Sequence, residues 1–235
     1  MRMEIDGLQC FYGKSQVLHG VTLDVPAGEI TCLLGRNGVG KSTTLKSIMG
    51  LVTPRAGSIR IGDAQFAGLL PHEIARRGIG YVPEERRIFP TLTVLENLHM
   101  GERPSSRSPK VVWTIAEILA KFPSLEKRIR SKGAHLSGGE QQMLSIGRAL
   151  VANPDVILID EPTEGLAPVI VEVVEQVVRE IAARGVAVLL VESKLAIAER
   201  LATRVFVMSK GEIVFSGSAA ELAADASVRK QHLEV

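Results

Sequence analysis

The chain has 235 residues, of which 46% are hydrophobic, and its 28 basic and 26 acidic residues leave a formal net charge of +2. This composition is typical of a globular protein of one large domain or two small ones, and the balanced charge argues against a protein that binds nucleic acid. Two cysteines, Cys10 and Cys32, are too few for a disulfide framework, so we expect both to be reduced and inert.

The chain opens with two segments, "EIDGLQCFYG" and "VTLDVPAGEI", that alternate apolar and polar residues around turn signals. This alternation predicts half-exposed antiparallel strands. Apolar runs follow at "ITCLLG", "IGYVP", "VILIDE", "VAVLLVE" and "RVFVM", and segments of helical period such as residues 42–51 and 169–183 separate them. Strands that alternate with helices predict an α/β fold with a parallel-sheet core, preceded here by a small antiparallel β layer.

Residues 91–150 show no buried-strand signal, and the stretches "LTVLENLHM", "KVVWTIAEILAKFP" and "EQQMLSIGRALV" predict helices. We expect Trp113 to lie in the core of this helical insertion and "GERPSSRSPK" to be a mobile connection. The sequence therefore predicts a single domain over residues 1–235. Residues 1–90 and 151–235 form its β layer and α/β core, and residues 91–150 form a helical subdomain.

The ends of the chain carry no targeting signal that we recognise. No leader follows Met1, and the apolar runs are shorter than the ~18 residues that a membrane-spanning helix needs. Because the sequence ends soon after the last predicted core strand, we expect no regulatory C-terminal domain. We expect a cytosolic chain that reaches a membrane only through another protein.

The stretch "GRNGVGKST" matches the pattern of a phosphate-binding loop between a predicted strand and a predicted helix. In such a loop the backbone N–H groups surround the phosphates, Lys41 reaches the β- and γ-phosphate oxygens, and the Ser42 hydroxyl ligates Mg²⁺. The predicted nucleotide-binding residues are Gly35, Arg36, Asn37, Gly38, Val39, Gly40, Lys41, Ser42 and Thr43.

Two carboxylates, Asp160 and Glu161, end the apolar run "VILIDE". Buried unpaired carboxylates are costly, so their position indicates a cation nearby. One of them can hold the metal and the next can polarise the attacking water, which assigns Asp160 to Mg²⁺ and Glu161 to the role of catalytic base.

A second phosphate-binding end is predicted at "LSGGEQQMLSIGRAL", residues 136–150. Here Ser137, Gly138 and Gly139 precede a long helix, so they present a hydroxyl, bare amides and the positive end of the helix dipole. This stretch resembles the signature of the ATP-binding cassette (ABC) superfamily, and the resemblance extends over essentially the whole chain. It implies that these three residues contact the γ-phosphate of ATP held by a partner subunit, in a head-to-tail dimer with two ATP sites.

The resemblance assigns further positions one at a time. Tyr12 stands where an aromatic residue stacks on adenine, although it is also placed as an ordinary strand residue. Glu84, within "YVPEERRIFPTLTVLENL", stands where most members have the glutamine that ligates Mg²⁺, and Ala167 stands where many have aspartate. Ser193 falls on the position of a γ-phosphate-sensing histidine, and we expect its neighbours Glu192 and Lys194 to be surface residues.

In its motifs the chain is most similar to the second ATPase subunit of importers for branched-chain amino acids, or of the related importers for urea and short amides. This similarity implies transmembrane permease subunits, a second ATPase subunit, no nucleic acid, and a peripheral position at the cytoplasmic face of the membrane. A heterodimer is favoured and a homodimer stays open. The permease is expected beside residues 84–89, where Arg86 and Arg87 either meet it or form a solvated basic surface.

Alternatives from other classes stay open at this point. Another ABC importer or an exporter has the same motifs, and a non-transport ABC ATPase is a third reading. A GTPase is disfavoured because no N-K-x-D motif occurs, and a structural P-loop protein is disfavoured by Asp160 and Glu161. Because serine is shorter than histidine and cannot be cationic, we also expect Ser193 to weaken hydrolysis at this chain's own site.

Overall fold

Two β-sheets and a set of surrounding helices make up the computed structural model, which describes residues 2–102 and 112–233. Within these residues the strands are β1 (Arg2–Tyr12), β2 (Ser15–Pro26), β3 (Ile30–Leu34), β4 (Ala56–Ile61), β5 (Ala64–Gln65), β6 (Ile79–Val82), β7 (Val156–Asp160), β8 (Ala187–Glu192), β9 (Arg204–Ser209) and β10 (Glu212–Gly217). The helices are α1 (Lys41–Ile48), α2 (Pro71–Arg76), α3 (Val94–His99), α4 (Ile115–Lys121), α5 (Pro123–Lys127), α6 (Gly138–Leu150), α7 (Pro168–Ala183), α8 (Leu195–Leu201), α9 (Ala219–Ala224) and α10 (Ala226–His232), with a 3₁₀ turn at Gly133–His135.

The N-terminal sheet is antiparallel, with the strand order β2-β1-β4-β5. In β1, Met3, Ile5, Leu8 and Cys10 are buried, whereas polar neighbours such as Asp6 are exposed. This alternation is the pattern that the sequence shows, and the predicted antiparallel layer is confirmed.

The central sheet has the order β10-β9-β3-β8-β7-β6. Strands β9, β3, β8, β7 and β6 run parallel, and β10 is added antiparallel at the edge. Every residue of β3, β7 and β8 is buried. Because both faces of this sheet are covered, the strands appear in the sequence as continuous apolar runs. The predicted α/β fold is confirmed.

Two hydrophobic clusters cover the two faces of the central sheet. In β8, Leu189 and Val191 belong to the cluster shared with the antiparallel sheet and α1. Val188 and Leu190 belong to the other cluster, which includes α6, α7 and the helices between β6 and β7. The carboxyl end of β8, where Glu192 lies, is therefore fixed from both sides.

The first two helices of residues 91–150 begin later than the sequence pattern predicts, whereas α6 begins at Gly138, before the predicted start at Glu140. Helix α3 begins at Val94, after the N-cap Thr93, and α4 begins at Ile115, after the N-cap Thr114. Each threonine accepts from the amide of a glutamate three residues on, and this capping box ends the extended chain before the helix. Most of the predicted loop 101–110, and residues 110–111 of the predicted second helix, lie outside the described residues.

Trp113 is buried, as predicted, and it connects the helical segment to the core. The guanidinium of Arg184, just past the end of α7, lies 3.8 Å from the centroid of the indole ring. Arg184 also forms ion pairs with Glu117 of α4 and Glu180 of α7. Both cysteines are free thiols buried in the core, as expected.

Candidate nucleotide-binding site

Two glycines, Gly35 and Gly40, shape the loop between β3 and α1, because a side chain at either position would displace its neighbours. A Cβ at Gly35 would lie 2.5 Å from the Met208 carbonyl oxygen, and one at Gly40 would lie 2.9 Å from the Leu18 side chain. Gly40 also has a φ of 117° and caps α1 without a side-chain hydrogen bond. The first amides of α1 are therefore not occupied by a capping side chain, and Arg36, Asn37 and Gly38 are exposed.

Lys41 lies across this loop and is 4% exposed. Its Nζ donates to the carbonyl oxygens of Gly35, at 2.8 Å, and Arg36, at 3.1 Å, and forms an ion pair with Oε1 of Glu161 at 3.1 Å. The ammonium group thus has an anionic partner at the position where a phosphate oxygen is expected. The ion pair links the loop to the residue that follows β7.

Asp160 ends β7, and its carboxyl group is 1% exposed. Ser42 Oγ donates to Asp160 Oδ1 at 3.2 Å, which brings together two of the three predicted metal ligands. Burial raises the pKa of Asp160 to about 6, and the charges of Glu84 and Glu161 contribute to the rise. Burial, together with the charge of Asp160, also raises the pKa of Tyr81. The carboxylates gathered at the end of β7 therefore favour a bound cation.

Glu84, the third predicted metal ligand, lines the same cleft as Lys41, Ser42 and Glu161. The described residues hold no cluster of three or more His, Cys, Asp or Glu side chains suited to a metal ion. A hydroxyl and one or two carboxylates are nevertheless a donor set that fits Mg²⁺, which is commonly completed by water and substrate phosphates. The residues present therefore fit the predicted ion.

Glu161 lies one residue past β7 in a left-handed conformation with a φ of 42°. Its N–H donates to the Val191 carbonyl oxygen at 3.0 Å, and its carboxylate accepts from Ser193 Oγ at 3.0 Å through Oε2. Oε1 is the atom that pairs with Lys41. The structure brings both predicted catalytic residues, Glu161 and Ser193, into direct contact.

The expectation that Glu192 is a surface residue is wrong. Its side chain is buried at the end of β8, 1% exposed, and Thr163 Oγ1 donates to it at 2.9 Å. Burial raises the pKa of Glu192 to about 7, against the opposing effect of the Thr163 hydrogen bond. Lys194 is exposed, as expected. Sequence reasoning missed the buried pair because Thr163, on the turn after β7, and Glu192, at the end of β8, are 29 positions apart.

A cleft of about 260 Å³ lies over these residues. It is lined by Val17, Asn37, Gly38, Gly40, Lys41, Ser42, Thr43, Glu84 and Glu161. Val39 is half-buried beneath the loop, and its side chain would be 2.9 Å from a Cβ at Gly35. Tyr12, at the end of β1, is 50% exposed and does not line the cleft.

The predicted signature residues lie on a different surface. Ser137 is the N-cap of α6, where its backbone N–H and its hydroxyl each donate to the Glu140 carboxylate at 2.8 Å. A Cβ at Gly138 would lie 2.8 Å from Arg86 Nη1, and one at Gly139 would lie 3.2 Å from Ile170. None of the three residues lines the cleft above Lys41.

The loop after β6 is bound to α6 through the backbone of the predicted basic pair. Arg86 and Arg87 both have a positive φ, 63° and 42°. Ser145 Oγ donates to the Arg86 carbonyl oxygen at 2.7 Å, and Arg148 Nη2 donates to the Arg87 carbonyl oxygen at 2.6 Å. The Arg87 side chain pairs with the exposed Glu85. The helix that begins with the signature is thus tied to the segment that carries Glu84.

These features define a class of protein. A glycine-rich loop joins a buried parallel strand to a helix, β8 lies between that strand and β7, and β7 ends in an Asp-Glu pair beside the loop lysine. This is the arrangement of a P-loop nucleoside triphosphatase. The chain belongs to the ABC transporter family, whose model matches residues 18–164. It is an ATP-binding subunit of an ABC transporter and an ATP-hydrolysing enzyme.

Known relatives match the chain over nearly its whole length. The high-affinity branched-chain amino acid transport ATP-binding protein BraG of Pseudomonas aeruginosa is 40% identical over 231 residues, which cover 98% of this chain and 99% of BraG. The arginine transport ATP-binding protein ArtP of Escherichia coli is 36% identical, with 93% of each chain covered. The dimeric post-hydrolysis structure of the ATP-binding cassette MJ0796 bound to ADP and Pi superposes with a TM-score of 0.80 at 27% identity, covering 92% of this chain and 98% of that one.

Among the described residues, we find no helix whose length and hydropathy would allow it to cross a membrane.

Proposed function

We propose that the protein powers the uptake of branched-chain or other hydrophobic amino acids through separate membrane permease subunits. The observation that carries this proposal is the 40% identity with BraG over almost the whole of both chains. The 36% identity with ArtP favours uptake of another amino acid as the second candidate. Urea or a short amide is the further alternative that the sequence motifs leave open.

The proposed chemistry begins with the binding of ATP at the loop of residues 35–43. Lys41 exchanges its ion pair with Glu161, at 3.1 Å, for the β- and γ-phosphate oxygens. The amides at the start of α1 face the same anion. Tyr12 is proposed to stack on the adenine ring, and its 50% exposure supports a contact with a ligand from solvent.

Ser42, Asp160 and Glu84 are proposed to hold Mg²⁺. The Ser42–Asp160 hydrogen bond at 3.2 Å and the raised pKa of Asp160 support this assignment. When bound, Mg²⁺ supplies charge neutralisation at the phosphate oxygens. Glu84 adds a negative charge that the more usual glutamine would not add, so we expect the metal to be held more tightly and the phosphates less tightly.

Once Lys41 has turned to the phosphate, Glu161 is free to accept a proton from the attacking water. The water oxygen bonds to the γ-phosphorus, the bond from the γ-phosphorus to the β–γ bridging oxygen breaks, and ADP leaves with the electron pair. Ser193 donates to Glu161 Oε2 and so orients the base, but it cannot supply the positive charge of a histidine. We propose that this site is slow and that a partner ATPase with a histidine there carries much of the turnover.

Ser137, Gly138 and Gly139 are proposed to close over the γ-phosphate of a partner ATPase subunit. Their absence from the lining of this chain's own cleft supports that reading, and the MJ0796 cassette is described as a dimer. A heterodimer is favoured over a homodimer because Ser193 leaves this chain's site incomplete. Residues 91–150 are proposed to act as a subdomain that moves when the dimer closes.

The permease is proposed to dock in the groove between the β6 loop and the helical segment. This groove is lined by Met49, Ile79, Gly80, Tyr81, Phe89, Met100, Gly101, Ser145, Arg148, Ala149 and Ala152. Phe89 and Met100 are 42% and 59% exposed, and Arg148 lies over the Phe89 ring at 5.0 Å. A groove that combines exposed apolar side chains with the guanidinium of Arg148 suits a short helix of a membrane protein, which would place the chain at the cytoplasmic face.

The test is to purify the transporter through a tag on this chain and identify the chains that come with it. ATP hydrolysis by the complex is then measured with its binding protein and a panel of leucine, isoleucine, valine, arginine, urea and acetamide. Stimulation by the first three supports the proposal. Stimulation by arginine alone, or by the amides alone, would replace it with one of the two alternatives.

A further inference from the structure

A buried polar pair lies behind the proposed catalytic base. Thr163 and Glu192 are each 1% exposed, and the hydroxyl of the first donates to Oε1 of the second at 2.9 Å. They are 29 positions apart, on the turn after β7 and at the end of β8. A carboxyl group buried this deeply is destabilising unless its hydrogen bonds compensate, so the pair requires an explanation.

The turn that carries Thr163 also carries Glu161 in its left-handed conformation, with a φ of 42°. For a residue with a side chain this conformation costs on the order of 1 kcal/mol and persists only where surrounding contacts enforce it. Besides the ion pair with Lys41, three contacts from β8 and its exit hold this turn. Val191 accepts from the Glu161 N–H, Ser193 donates to the Glu161 carboxylate, and Glu192 holds Thr163.

These contacts act on different parts of the turn. The Val191 carbonyl fixes the backbone at Glu161, and the Ser193 hydroxyl fixes one carboxylate oxygen. The bond from Thr163 to Glu192 lies beyond the left-handed residue and prevents the turn from relaxing away from β8. The Lys41 ion pair of Glu161 is lost when ATP binds in the proposed mechanism, whereas the Thr163–Glu192 bond involves no residue of the proposed ATP or metal site.

We propose that Glu192 is a positioning residue for ATP hydrolysis, which acts through Thr163 to hold Glu161 in the direction of the attacking water. This inference rests on the proposed role of Glu161 as the base. The hydrogen bond that its carboxyl oxygen accepts from Thr163 at 2.9 Å is the contact through which Glu192 acts. A displacement of a catalytic group by about 1 Å costs up to about 100-fold in rate, so a single buried hydrogen bond has a measurable effect.

The test compares Thr163→Val, which removes only the hydroxyl, with Thr163→Ser, which retains it. Steady-state ATP hydrolysis is measured on the purified transporter complex in which the partner ATPase carries the glutamate-to-glutamine change at its own catalytic base, so that the turnover measured is that of this chain's site. We expect Thr163→Val to lower kcat by about tenfold with the KM for ATP changed by less than about twofold, and Thr163→Ser to remain within about twofold of the wild type. A kcat that is unchanged in Thr163→Val, or lowered equally in Thr163→Ser, would overturn the proposal.

The same Thr163 substitution in the Glu161→Gln variant tests whether its effect on turnover depends on Glu161. If Thr163 acts only through Glu161, then Thr163→Val lowers the residual turnover of Glu161→Gln no further, and an additive loss contradicts the proposal. Should Thr163→Val not fold, Glu192→Ala with Glu192→Gln as its matched control carries the same comparison, since glutamine keeps an acceptor oxygen. Wild-type turnover in Glu161→Gln would contradict the role of Glu161 as the base. Low turnover in Glu161→Gln together with wild-type turnover in Thr163→Val would contradict only the positioning role.

Discussion

The substitution Glu161→Gln separates the binding of ATP from its hydrolysis. It removes the negative charge that pairs with Lys41 at 3.1 Å, but it keeps an amide of almost the same shape. Glutamine cannot accept a proton from water, so we expect kcat at this chain's site, measured with the partner's own base inactivated, to fall by about 100-fold to 10,000-fold. ATP affinity should be kept or raised, because the anion that competes with the phosphates for Lys41 is gone.

The same substitution has a cost in stability that the structure bounds. Lys41 and Glu161 have side chains 4% and 6% exposed, and breaking a buried ion pair costs up to about 3–5 kcal/mol. Lys41 keeps its hydrogen bonds to the Gly35 and Arg36 carbonyls, so we expect a smaller loss of about 1–3 kcal/mol in the free energy of unfolding without nucleotide. Saturating ATP should reverse most of this loss, because phosphate replaces the missing anion.

Three assays check these expectations: phosphate release, equilibrium binding of ATP, and denaturant unfolding with and without ATP. Glu161→Asp is the matched control, since it keeps the charge and shortens the reach. Wild-type phosphate release by Glu161→Gln would refute the assignment of Glu161 as the base. A large loss of ATP affinity would refute the argument that Glu161 competes with phosphate for Lys41.

Three further predictions follow from the site. Lys41→Ala should lose ATP binding by at least about tenfold, measured by nucleotide titration, and full affinity would contradict the loop assignment. Ser193→His should raise hydrolysis by the assembled complex, and unchanged turnover would contradict the idea that serine weakens the site. Burial raises the pKa of Asp160 from its ordinary value of 3.8 to about 6, so the folded chain holds a proton there that the unfolded chain releases. Binding of this proton stabilises the folded chain fully below about pH 4, and the stabilisation is lost as the pH rises through about 6. Asp160→Asn should therefore raise the free energy of unfolding by up to about 3 kcal/mol at pH 8 and change it little at pH 4.

The sequence predicts the elements whose pattern of apolar residues is set by burial alone. Strands β3, β7 and β8 are buried on both faces, so their continuous apolar runs are enough to predict them. Edge strand β10 alternates exposed and half-buried residues, and α2, α9 and α10 are short helices with at most one buried residue each. Such elements depend on their neighbours and leave little periodicity for sequence analysis to detect.

The site could be predicted in its residues but not in all of its contacts. The order of glycines and Lys41 follows from the chemistry of phosphate binding, and the Asp160–Glu161 pair follows from its place at the end of a strand. The burial of Glu192 depends on Thr163, which is distant in the sequence, and no local pattern indicates that contact. The Lys41–Glu161 ion pair likewise arises only when the loop and the end of β7 come together.

The uptake of amino acids by the reconstituted complex tests the central claim most directly. The complex is placed in vesicles with its binding protein outside and ATP inside, and the accumulation of labelled leucine, isoleucine or valine is measured. The account predicts accumulation that requires ATP and falls to background when this chain carries Glu161→Gln together with the same change in its partner ATPase. Accumulation that is unaffected by these changes, or a complex that moves none of the three amino acids, would contradict it.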